Sequence, residues 1–114
     1  MTSADEELLA KIKILQDAFK ANLEDRLAEV DAALDSLRTA GEDNADALNH
    51  LMGLAHKLTG SAGTFGFPAT SDAAGELETL CESLEKAGGD ASAHFDRIAA
   101  LVDGLRQAAA GETV

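Results

Sequence analysis

His56 is the residue whose type and setting could do chemistry. It is an imidazole in the helical run Leu48 to Phe67, which also carries Gly53, Gly60 and Gly63. The glycines lie three, four and seven residues from it. Because a helix turns about 100° per residue, those offsets place all four residues on one side. A glycine inside a helix costs roughly 1 kcal/mol relative to alanine, so three cost about 3 kcal/mol that apolar packing does not require. The pattern reads as a reactive imidazole on a surface cleared for a docking partner. His56 lies about 80° round from Leu48, at the shoulder of the apolar face, so its base is held while its tip is open. An ordinary imidazole is largely neutral in the cell and is a competent nucleophile, which makes covalent chemistry on the ring feasible. No Ser or Cys sits in a triad setting, no Gly-rich loop joins a strand to a helix, and no HExxH occurs. The chain carries no visible machinery for activating ATP or water.

The elements that must position this ring are helices. Ala, Leu and Glu dominate, there is one proline, and β-branched or aromatic runs are missing. The spacing predicts an all-α fold, an antiparallel four-helix bundle with a long or bent N-terminal helix. Leu8, Ile12, Leu15, Phe19, Leu23, Leu27, Val30, Leu34 and Leu37 follow gaps of three or four and form one stripe, with a possible break near Asn22. The cluster Gly41 to Asn44 ends that helix and offers an N-cap for the next, whose stripe is Leu48, Leu51, Ala55, Leu58, Ala62 and Phe65. Pro68 opens a third helix, with Leu77, Leu80, Cys81 and Leu84 inward until Gly88 and Gly89. Asp90 or Ser92 starts a fourth, with Phe95, Ile98, Leu101, Val102 and Leu105 inward. Residues 1–114 read as a single domain with a frayed N-terminus and a tail that frays from about Ala108.

Composition narrows the partners. With 21 acidic and 9 basic residues the formal charge is −12, which repels phosphate backbones and anionic membrane surfaces. No apolar run is long enough to span a bilayer and the start MTSADEELLAKIK is not a signal peptide, so a cytoplasmic protein is expected. A lone cysteine, Cys81, reads as a small core residue beside Leu77 and Leu84. His50 and His94 read as surface residues. His50 and His56 are six apart and point to different sides, which argues against a metal site.

The run from Ala55 to Phe67 resembles the signature of histidine-containing phosphotransfer domains of two-component phosphorelays. His56, Leu58, Gly60, Ser61, Ala62, Phe65 and Gly66 match that pattern in order. The resemblance implies a four-helix bundle with its histidine exposed on the second bundle helix. It implies that His56 accepts a phosphoryl group from an aspartyl phosphate on a response-regulator receiver domain and passes it to another receiver, in a relay fed by a hybrid or sensor histidine kinase. The chain would then be a carrier and not a self-sufficient enzyme, binding no cofactor itself, with Mg2+ on the receiver. Many members of that family carry Lys or Arg three residues after the histidine; here the position is Thr59, which offers a hydroxyl. Lys57 lies about 100° round the helix on a flexible stem. Lys57 and Thr59 are the phosphoryl-stabilising candidates, and Gly53, Gly60 and Gly63 the docking floor.

A monomer is the expectation. A second reading makes the chain a non-catalytic interaction or dimerisation module working through the long first stripe, with His56 incidental. A third, a metal or haem enzyme, is disfavoured by the lack of paired ligands.

Overall fold

The structure, a computed structural model, describes residues 3–88 and 91–112. Four helices, α1 (Ser3–Ala40), α2 (Ala45–Thr64), α3 (Pro68–Lys86) and α4 (Phe95–Gly111), follow one another, with a single 3-10 turn, Ser92–His94, leading into α4. Each helix packs on the next, and α4 returns to α1 to close an all-α bundle. The expected inward stripes of α2, α3 and α4 meet in one core in which Leu48, Leu51, Ala55, Leu77, Cys81, Ile98 and Leu105 have no exposed surface. Burial pushes the Cys81 thiol up to about 11, aided by the Glu78 and Glu85 carboxylates against a backbone hydrogen bond that lowers it. Gly89 and Asp90, expected at the α3–α4 boundary, lie outside the described residues.

The α2–α3 reversal is built by three residues. Gly66 has φ +85°, a conformation that glycine adopts without a Cβ penalty. The Phe67 amide donates to the Ala62 carbonyl at 2.8 Å and the Gly66 amide to the Gly63 carbonyl at 3.4 Å, the paired bonds of a Schellman stop. Phe67 is then driven into the core, 1% exposed, its ring centroid 5.1 Å from that of Phe19. Phe65 lies half-buried against the same ring at 5.6 Å.

Three expectations change. The first concerns α1, which is continuous through Asn22; the Asn22 side-chain amide donates to the Ala18 carbonyl at 3.0 Å, satisfying itself on the helix without breaking it. Its first turns also leave the core. At ~1.5 Å per residue α1 spans about 57 Å, as long as the whole molecule at 59 Å, whereas the other helices have 17 to 20 residues. Leu8, Ile12 and Leu15, expected inward, are therefore 58%, 42% and 51% exposed, because no neighbouring helix reaches them.

The second concerns Asn44. It occupies the N-cap position of α2 but makes no side-chain cap bond. Instead it is 1% exposed and ties two loops: its amide donates to the Gly41 carbonyl at 2.6 Å, and its Oδ1 accepts from the Ala91 amide at 3.2 Å.

The third concerns the tail. Where fraying was expected from Ala108, α4 continues to Gly111 and Ala109 is buried. Arg106 binds Asp31 of α1 through Nε at 2.8 Å and reaches Glu24 at 3.4 Å. Glu112 then turns onto the start of α3, which has Pro68 at its first position and no cap from Phe67. Its carboxylate accepts from the Ala69 amide at 2.7 Å, the Thr70 amide at 2.8 Å and the Thr70 hydroxyl at 2.7 Å. Lys20 donates to the Glu112 carbonyl at 2.7 Å. These are the amides that a helix start leaves without partners, capped here by a residue from the far end of the sequence.

Burial by itself would raise the Glu112 carboxyl, but Thr70, Ala69 and Lys20 outweigh it and hold the group below its usual 4.5. The folded value being the lower one, the stabilisation is complete above pH 4.5 and is lost as the pH falls through the folded value. Glu112→Ala is expected to cost about 1 kcal/mol, the usual loss of a helix cap. Urea unfolding of wild type and variant should differ by a constant amount between neutral pH and the unfolded carboxylate value, and converge below it. A difference that persists unchanged in acid would show that charge is not what holds the tail.

Candidate functional site

His56 stands on the outward shoulder of α2 with 75% of its side chain exposed. A shallow depression beside it is lined by His56, Lys57, Gly60, Ser61, Thr64 and Phe65. A methyl added at Gly53 or Gly60 would meet nothing within 4 Å, so neither glycine is required by packing inside this molecule. Gly63 differs from them. A Cβ there would come within 3.3 Å of the Ser71 hydroxyl oxygen on α3, and that hydroxyl donates to the Thr59 carbonyl at 2.8 Å. Gly63 thus lies at the α2–α3 seam that borders the bare face.

The ring of His56 is held by a residue that sequence reasoning missed. Glu78 of α3, 24% exposed, places Oε2 2.6 Å from His56 Nδ1. A carboxylate can only accept, which assigns the ring proton to Nδ1 and leaves the lone pair on Nε2. A signal for it existed. Helices joined by a tight reversal run antiparallel, and residues equally far from the turn face each other; His56 and Glu78 are each eleven positions from Phe67. The same rule gives Gly63 opposite Ser71 and Thr59 opposite Gly75, and both pairs meet.

The two phosphoryl-stabilising candidates are placed differently. Thr59 is half-buried, with its methyl 3.8 Å from where a Gly75 Cβ would be, and its hydroxyl donates to the Ala55 carbonyl at 2.8 Å. Lys57 is exposed on the other flank. Its side chain borders the His56 depression and also a groove toward α1 lined by Asn22, Asp25, Arg26 and Glu29. Carboxylates line the neighbouring grooves, Asp25 and Glu29 with Arg26 toward α1 and Asp72 and Glu76 beside Thr59 on the α3 side. His50 and His94 are exposed elsewhere. Among the described residues no three His, Cys, Asp or Glu side chains gather as metal ligands, and no helix is long and apolar enough to cross a membrane.

An exposed histidine oriented through Nδ1, on a bare stretch of a helical bundle, is equipped to take and release a group at Nε2. The chain was compared with known proteins. The family model described as Hpt domain matches residues 14–108, which takes in α2 and α3 whole and most of α1 and α4. No curated protein and no solved structure gives a match. With this bundle and the greater part of the chain matched, the protein belongs to the Hpt domain family, the histidine phosphotransfer modules of phosphorelays.

Proposed function

We propose that His56 Nε2 is the phosphoryl acceptor of this relay protein and that its donor and acceptor are aspartyl groups of response-regulator receiver domains. The observation that carries the reading is the Nδ1 contact with Glu78, which in the neutral ring places the proton on Nδ1 and leaves the Nε2 lone pair free on an exposed side chain. The Nε2 lone pair attacks phosphorus, an N–P bond forms, the P–O bond to the receiver aspartate breaks, and the electron pair leaves with the carboxylate. The proton stays on Nδ1, where Glu78 balances the positive charge that the ring acquires. The reverse sequence onto a second receiver completes the transfer.

Phosphoryl transfer depends chiefly on positioning and charge neutralisation. In a chain of −12 net charge, Lys57 is the side chain placed at the edge of the depression to meet the phosphoryl oxygens, because the Thr59 hydroxyl proton is already given to Ala55. The rest of the positive charge, including Mg2+, falls to the receiver, and no residue of this chain is assigned to the metal. The protein is therefore a carrier dependent on receiver domains and on a hybrid or sensor kinase, working in the cytoplasm. Gly53 and Gly60 form the floor on which the receiver sits, and Gly63 closes its α3 edge.

His56→Gln is expected to abolish acid-labile, base-stable labelling by phosphorylated receivers, while His50→Gln and His94→Gln retain it. Equal labelling of the His56 variant would end the assignment.

Glu78→Ala should slow transfer roughly 10- to 100-fold, the value of a hydrogen bond to a charged group. Glu78→Gln, which keeps an acceptor but no charge, should fall between. Ring 15N shifts provide the independent check: His56 should carry its proton on Nδ1 in the wild type and lose that preference in Glu78→Ala. An unchanged tautomer would remove Glu78 from the mechanism.

Gly60→Leu places a branched side chain in open space beside the ring and replaces a helix glycine, so the melting temperature should hold or rise by the equivalent of about 0.5–1 kcal/mol. Transfer should nevertheless fail. Full transfer in the stable variant would show that the receiver does not use this face.

A further inference from the structure

The exposed large aliphatic side chains among the described residues all fall on one stretch: Leu8, Leu9, Ile12, Ile14 and Leu15, from 42% to 65% exposed. They lie on the part of α1 that projects past the reversal at Phe65–Phe67. The Hpt match begins at residue 14, so Leu8, Leu9 and Ile12 stand outside what the family domain requires. Leu8, Ile12 and Leu15 continue the stripe that Phe19 begins inside the core, so the projecting helix presents the kind of face that elsewhere in the molecule is covered by another helix. A helix of about four turns with such a face does not hold its structure by propensity alone.

We infer that the cover is a second copy of this chain, its own extension lying antiparallel against the first. The charges beside the stripe favour this occupant. On one flank of the stripe Glu7 comes before the apolar centre and Lys11 follows it, whereas Glu6 and Lys13 lie on the far side of the helix. When Leu8 of one copy lies beside Ile12 of the other, the two-fold axis passes near residue 10. Glu7 then approaches the other copy's Lys11 along the flank they share, and symmetry repeats the contact. A parallel pair would stack acid on acid and base on base. The lengths agree as well: residue 10 is the midpoint of the run 3–17, so the overlap uses the whole extension and leaves the bundles at opposite ends. His56 lies nine residues from Phe65, about 13 Å along α2, and stays open in each copy.

Sedimentation velocity of the full chain across roughly 1 to 100 µM is the test. The mass should rise from one chain to two with concentration. Leu8→Glu with Ile12→Glu should hold it at one chain throughout, with the bundle's unfolding transition and receiver phosphotransfer unchanged. The charge pairing is tested by Lys11→Glu and Glu7→Lys. Each should dimerise roughly tenfold more weakly by itself through like-charge contacts, and an equal mixture should recover the wild-type mass. A wild type that stays at one chain, or a Leu8→Glu, Ile12→Glu variant that still dimerises, overturns the proposal. So does loss of phosphotransfer in that variant with no change of mass, which would give the stripe to the receiver.

Discussion

The constraint on which the site depends is the reversal between α2 and α3. Gly66 can take a left-handed conformation, the amides of Gly66 and Phe67 close back on α2, and Phe67 is pulled beneath Phe19 by the area it buries. Once that turn is fixed, the register of the two helices has no freedom. Ser71 falls against Gly63 and holds the Thr59 carbonyl, Gly75 makes room for the Thr59 methyl, and Glu78 arrives at the ring of His56. A slip of one residue would rotate Glu78 by about 100° on its helix and take the carboxylate from Nδ1. The glycines and phenylalanines downstream of the histidine thus set the surroundings of its ring although most do not touch it.

The ring of His56 gains orientation from its own chain and little positive charge. Glu78 is anionic, Asp72, Glu76, Asp25 and Glu29 rim the neighbouring surfaces, and Lys57 is the cation at the edge of the depression. The surfaces around His56 therefore carry more carboxylates than cations. This suits a carrier, because a protein that bound the phosphoryl group too well would not give it up. Gly53 and Gly60 likewise leave the helix surface beside the ring open.

The end of the bundle near the reversal is held by devices remote in sequence. Glu112 caps α3 across 42 and 43 positions, and Lys20 anchors the same residue to α1. Arg106 adds a second α4–α1 tie at Asp31. These contacts fix the start of α3, which in turn carries Ser71 and, two turns on, Glu78. Beyond this closed end α1 continues without a neighbour, and the stripe that was core below it becomes surface above it.

Much of the fold was legible in the sequence, since amphipathic spacing is a local property: the stripes of α2, α3 and α4 and the lower part of α1 name the buried residues almost as they are found. His56 and its glycines were legible for the same reason, as offsets on one helix. Tertiary structure alone decided the rest. Leu8 and Leu23 look alike in the pattern, but one is exposed and the other buried because helix length, not periodicity, determines where the neighbours end. Asn44 looks like a cap, yet the Ala91 amide 47 positions away needs its oxygen more. The tail is polar and small and reads as frayed, but the orphan amides of α3 give Glu112 a place to bind. Glu78 is one carboxylate among 21 acidic residues, and its equal distance from Phe67 singles it out only once α3 is known to fold back antiparallel on α2, because a hydrogen bond of 2.6 Å is a statement about two helices at once.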